Sequence, residues 1–125
     1  MIRGVRGAIT VLENNEVEIV SATQRLAREV IKENGINPES VASVFISVTE
    51  DVNAGFPAKA LRQIEGWSLV PVMCMQEIPV PGSLSKCIRI MFHVNTDARQ
   101  EDIKHIYLEG AKALRPDLLK SNNRL

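Results

Sequence analysis

The sequence has little of what identifies most functional classes directly. Its two cysteines, Cys74 and Cys87, are too few for a disulfide framework or a four-ligand zinc site. Aromatic residues make up only 4%, which argues against a stacking surface for single-stranded nucleic acid. The 15 basic and 15 acidic residues cancel, so the basic excess typical of proteins that bind nucleic acid or anionic membranes is missing. With no signal-like segment and no apolar run near the ~18 residues of a membrane helix, we expect a cytoplasmic protein.

The motifs of the common catalytic classes are missing as well. The sequence contains no glycine-rich phosphate loop, no G-x-S-x-G turn and no plausible Ser-His-Asp set. His93 and His105 match no metal-ligand spacing. Chemistry that needs a strong nucleophile, a metal or a nucleotide is therefore poorly supported.

What is present is the composition of an ordinary globular domain. The 125 residues, 45% hydrophobic and 24% charged, predict a single domain over 1–125, with a mobile tail from about 115. The neutral sum hides local differences, because residues 12–51 hold eight acids against three bases. The acidic surplus therefore falls on one predicted helix and its loops, while several bases fall in strand-like segments.

Hydrophobic periodicity predicts an α+β fold. Alternating or β-branched runs predict strands over 2–11, 41–49, 67–75 and 86–95, and Pro71 suggests an edge strand or a bulge. A helix is predicted to begin at Asn14 or Asn15 and to end at Gly35. A short helix over 57–65 and a last helix over 99–113 follow. We expect helices packed on one face of a mixed sheet, with a closed oligomer covering the remaining open surface.

Two arginines lie inside predicted strands, where an unpaired charge is costly. Arg6 has only small residues on its strand face, which leaves room for a ligand. Arg89 has no acid two positions away on either side. An ion pair with a distant acid such as Glu77 would explain either arginine alone. Two of them in one small domain favour a site for a carboxylate or phosphate ligand.

Other candidate residues have ordinary structural explanations. Glu77 follows a predicted strand, where a carboxylate usually belongs to a turn. Lys59 and Arg62 share a face of the short helix that solvent would normally cover. Tyr107 falls on the apolar side of the predicted last helix, and Arg115 falls at its end, where a cation suits the helix dipole.

Five stretches together carry a family resemblance: RGVRGAITV, FPAKALRQ, GWSLVPVMCMQEIPVPGSL, KCIRIMFHVNTD and HIYLEGAKALRPDL. The chain resembles, over nearly its whole length, the monofunctional trimeric chorismate mutases of bacteria, which have a pseudo-α/β-barrel architecture. The resemblance implies an isomerase that converts chorismate to prephenate by an intramolecular Claisen rearrangement, in the shikimate-derived route to phenylalanine and tyrosine. It implies no cofactor, and a homotrimer with active sites in clefts between adjacent subunits.

The resemblance also implies roles for particular residues. Arg6 and Tyr107 would bind a substrate carboxylate, and Arg89 would contact the ether oxygen of the breaking bond as well as a carboxylate. Glu77 and the backbone around Cys74 would hold the ring hydroxyl, with the Cys74 side chain close to Glu77. The remaining expected contacts are Phe56 and Leu114 against the ring, Val72 and Met73 lining the cleft, and Lys59, Arg62 and Arg115 as outer positive charge.

The sequence departs from the family at one position, and it is compatible with one competing function. The family commonly has threonine where this chain has Met73, which would lower substrate affinity only if the hydroxyl side chain matters. A non-enzymatic trimeric module that binds a small anionic metabolite would explain Arg6 and Arg89 equally well. Such a binding module would have no special use for Glu77 beside Cys74.

Overall fold

The computed structural model describes residues 1–114, and it contains one mixed sheet within that part of the chain. The strand order is β3-β2-β4-β1-β5. The central strand β4 pairs antiparallel with β1 and β2, while β3 and β5 are the edges and pair in parallel with β2 and β1. The bounds are β1 (Ile2–Thr10), β2 (Val41–Val48), β3 (Val72–Gln76), β4 (Cys87–Asn95) and β5 (Ile106–Leu108).

Helix α1 (Glu16–Asn34) has the ends that the sequence predicts. The Asn15 side chain accepts a hydrogen bond from the backbone N–H of Glu18, which caps the first turn. Gly35 ends the helix in the left-handed region with φ of 58°. No helix within residues 1–114 combines the length and the apolar character needed to cross a bilayer.

The helices lie on one face of the sheet, as expected. Alternate residues of β1, β2 and β4 point toward α1, whose inner face is fully buried. Helix α2 (Ala58–Arg62) packs beside α1 and against β3. The largest core side chains are Val5, Ile9, Ile19, Leu26, Val30, Val44, Ile46, Leu61, Ile88, Ile90 and Phe92.

The opposite face of the sheet is only partly covered. Near β5, a 3₁₀ segment (Glu109–Leu114) buries Ala8, Cys87 and Tyr107 in a small second cluster. Over β2 and β3 the same face is open, and Phe45, Met73 and Met75 are each 40% to 60% exposed. We call these three side chains the apolar patch.

Two predicted elements are wrong. The last helix over 99–113 does not form, and its sequence makes the 3₁₀ turn Gln100–Asp102, then β5, then the 3₁₀ segment. Tyr107 therefore lies in a strand and not on a helix. The third strand starts at Val72 and not at residue 67, because Trp67 turns into the core and its ring meets Phe92 edge to face at 5.5 Å. Pro71 ends that turn, and β3 is an edge strand, as the proline suggested.

Candidate active site

The two strand arginines lie on the same face of the sheet, opposite to the helices. Arg6 in β1 stands opposite Met91, and Arg89 in β4 stands opposite Ala8, so the alternation of adjacent strands brings both guanidinium groups together. They line a small cavity of about 110 Å³ with Gly7, Tyr107 and Leu114. We call it the arginine cavity.

Contacts between β1 and the edge strand β5 form one wall of the arginine cavity. The Arg6 backbone N–H donates to Nδ1 of His105 at 3.0 Å, just before β5 begins. Tyr107 then pairs with Ala8 in the parallel ladder and is 7% exposed. The Arg6 guanidinium makes no hydrogen bond or ion pair with any residue between 1 and 114. A guanidinium group in this position can bind an anion in the cavity.

Arg89 has the acidic partner that the sequence raised as an alternative. Its Nε lies 3.5 Å from Oε2 of Glu77, and the same oxygen accepts a hydrogen bond from the Ser47 hydroxyl at 2.9 Å. The side chains of Arg89 and Glu77 are 46% and 29% exposed. Water screens a pair in that position, so this contact does not cancel the positive potential of the site.

A second and larger cavity lies at the start of α2. It has a volume of about 820 Å³, and we call it the α2 cavity. Lys59 Nζ forms an ion pair with Oε1 of Glu16 at 3.0 Å, at the rim. The expected site residues that line this cavity are Phe56, Lys59, Arg62 and Cys74.

The Cys74 thiol is a wall of the α2 cavity and not a nucleophile. Burial raises the pKa of this thiol, although a backbone hydrogen bond at Ala58 and the charge of Arg62 act in the other direction. The thiol therefore stays protonated near neutral pH. Cys74 stands opposite Ile46, on the helix side of β3. The expectation that its side chain lies close to Glu77 is wrong within one chain, because Glu77 reaches the other face.

The remaining expected residues are more scattered. Val72 packs against the main core, and Met73 belongs to the apolar patch; neither lines the arginine cavity or the α2 cavity. Arg115 lies outside the described residues. Ser47 was missed in the sequence, although the alternation of β2 already places a hydroxyl there on the face of Arg89.

Most of the expected residues thus form two groups within one chain. The arginine cavity, with Glu77 beside it, offers two guanidinium groups, a phenol and a carboxylate. The α2 cavity offers the ring of Phe56, the cationic side chains of Lys59 and Arg62, and the backbone of the edge strand β3 around Cys74. Such groups can hold a small anion with a hydroxyl and stabilise developing negative charge. Neither group contains an activated nucleophile among the described residues.

Comparisons with known proteins agree with this chemistry. The family model for chorismate mutase type I matches residues 2–118. The chain is 50% identical over 123 residues to the chorismate mutase AroH of Bacillus subtilis, covering 98% of this chain and 97% of that one. It is 47% identical over 119 residues to AroH of Thermus thermophilus, covering 94% and 97%. A solved chorismate mutase from Clostridium thermocellum superposes with a TM-score of 0.86 at 50% identity, covering 89% of this chain and 98% of that one.

Proposed function

The chain belongs to the chorismate mutase type I family and converts chorismate to prephenate, and we propose that Arg6, Glu77, Arg89 and Tyr107 carry out this isomerisation. The reaction is a step of aromatic amino acid biosynthesis. The alternative of a non-enzymatic binding module is not favoured, because the relatives at 47–50% identity are named chorismate mutases. The observation that carries the residue assignment is that Arg6, Arg89 and Tyr107 line one cavity.

The first task of the site is to hold the substrate in a reactive shape. The rearrangement is intramolecular: a C–O ether bond breaks while a C–C bond forms, and all atoms stay in one molecule. No proton transfer or external nucleophile is required. Fixing both carboxylates of the dianion brings the reacting carbons together and removes conformational freedom before the reaction. We assign the binding of one carboxylate to Arg6 and the Tyr107 phenol, since both line the arginine cavity.

The second task is to stabilise the transition state. As the C–O bond stretches, negative charge grows on the ether oxygen, and a fixed guanidinium there binds the transition state more tightly than the ground state. We assign this role to Arg89, which lies in the middle of β4 and lines the arginine cavity. Glu77 in turn is placed to accept a hydrogen bond from the ring hydroxyl.

The complete site requires more than one chain. We propose a homotrimer in which the arginine cavity of one subunit meets the α2 cavity of its neighbour, with Phe56, Lys59, Arg62 and the backbone around Cys74 completing the pocket. Two observations support this assembly. Eight of the twelve expected residues fall into two separate cavities, and the apolar patch is open on the sheet face that carries the arginines. A cytoplasmic location is supported by two unpaired cysteines.

The test of the residue assignment is turnover by an Arg89→Ala variant. Purified protein is mixed with chorismate, and the loss of substrate absorbance is followed without metal or cofactor. Removing one preorganised charge donor lowers kcat by at least ~10²–10³. The variant should keep the thermal unfolding midpoint of the parent to within a few degrees, because the Arg89 side chain is half exposed. Near-normal turnover would refute the assignment.

A further inference from the structure

Ser47 lies at the centre of the contacts that join Glu77 to Arg89. It is a half-buried residue of β2, paired across the sheet with Arg89 on one side and with Met75 on the other. Its hydroxyl donates to Oε2 of Glu77 at 2.9 Å. The same oxygen faces Arg89 Nε at 3.5 Å.

The hydroxyl contact is the stronger constraint on the Glu77 carboxylate. A distance of 3.5 Å exceeds the usual N–H···O hydrogen-bond length of about 2.7–3.2 Å, so the arginine alone does not fix the carboxylate. The Glu77 backbone is already set, because its N–H donates to the Val48 carbonyl at 2.8 Å. The side chain beyond it has three rotatable bonds. The hydrogen bond from the Ser47 hydroxyl is short and directional, and it selects one rotamer of the Glu77 side chain.

We propose that Ser47 is a positioning residue of the isomerisation: its hydroxyl holds the Glu77 carboxylate toward the ring hydroxyl and away from a closer pairing with Arg89. This inference rests on the proposed function, because it gives Glu77 and Arg89 their roles there. By engaging Oε2, Ser47 leaves Oε1 for the substrate. Without it, the carboxylate can rotate onto the guanidinium and weaken the positive charge that faces the ether oxygen.

The experiment compares variants of one strand. Ser47→Ala should lower kcat/KM about tenfold, the effect expected for loss of one hydrogen bond to a charged group. Ser47→Thr keeps the hydroxyl and should restore at least about half of the parent value. The matched control is Ser43→Ala, which removes a hydroxyl from the same strand and face, where it contacts Nδ1 of His93 at 3.1 Å. This control should stay within about twofold of the parent.

A double-mutant cycle separates positioning from a general structural role. If Ser47 acts through Glu77, then Ser47→Ala changes kcat/KM less than about twofold in a Glu77→Gln background. An equal loss in both backgrounds, an equal loss in Ser43→Ala, or full activity of Ser47→Ala in the parent would each overturn the proposal. The proposed function has its own test: an inactive Arg89→Ala beside an active Ser47→Ala would reject only the role of Ser47.

Discussion

The separation of the two cavities predicts that two damaged chains can restore each other. One chain carries Arg89→Ala, which removes a guanidinium group from its arginine cavity. The other carries Lys59→Ala and Arg62→Ala and has lost the cations of its α2 cavity. In the proposed trimer, each site takes one cavity from each of two neighbouring chains. A mixed trimer therefore contains some sites in which both contributions are intact.

The size of the recovery follows from random assembly. In an equal mixture, about half of the arginine cavities are intact, and about half of those face an intact α2 cavity. About one quarter of all sites should then show parent turnover, and in trimers that contain both kinds of chain the share is about one third. The Arg89→Ala variant assembled alone retains about 1% of the parent turnover or less. The expected signal is thus well above the background of the Arg89→Ala variant assembled by itself, and it is compared with the measured turnover of the Lys59→Ala, Arg62→Ala variant.

The assay uses two affinity tags to isolate mixed assemblies. The chains are co-expressed, purified through both tags in turn, and assayed with chorismate at saturating concentration. The matched control mixes Arg6→Ala with Arg89→Ala chains. Both changes fall in the same cavity of one chain, so no site escapes damage and no recovery is expected. Recovery in that control, or none in the first mixture, would contradict a site built from two chains.

Two predictions concern stability. The Thr49 hydroxyl, together with the Lys86 backbone N–H, holds the pKa of Asp51 below its usual value of 3.8 despite partial burial. A carboxyl pKa depressed on folding stabilises the protein fully above the unfolded value, and that stabilisation is lost as the pH falls through the folded value. Urea midpoints should therefore drop between about pH 5 and pH 2, and Asp51→Asn should flatten part of this slope; an unchanged slope would contradict the reasoning. Gly7→Ala should lower the free energy of unfolding by about 1–3 kcal/mol, because the added Cβ lies 3.0 Å from side-chain carbons of both Leu26 and Val30. Thermal unfolding measures this, and an unchanged midpoint would show that the helix shifts at no cost.

The sequence was sufficient for the elements whose signals are local. β-Branched residues in β1 and alternation in β4 predicted these strands, and Arg6 and Arg89 lie inside them as expected. The Asn15 cap and Gly35 set both ends of α1, as the structure has them. Each of these rests on residues within a few positions of one another. Local periodicity therefore predicts them well.

The failures come from contacts between distant parts of the chain. Ile103 and Tyr107 are spaced as on a helix face, yet Tyr107 lies in a strand because β1 offers a free edge to pair with. The face of the sheet to which each β3 side chain points likewise depends on the pairing of β3 with β2. The position of Cys74 and Glu77 on opposite faces therefore could not be predicted from their spacing in the sequence. Ser47 was overlooked for the same reason, since its partner Glu77 is 30 positions away.

The parallel pairing of β5 with β1 has a consequence for how the molecule forms during synthesis. The contact between Arg6 and His105 joins residues 99 positions apart. Until the second of them has left the ribosome, the outer edge of β1 has no partner, and an unpaired edge is a surface on which chains aggregate. The antiparallel strands can fold earlier, but the Tyr107 wall is added only after that delay. Contacts of such sequence separation close slowly, so newly made chains should complete the arginine cavity as one of the last events of folding.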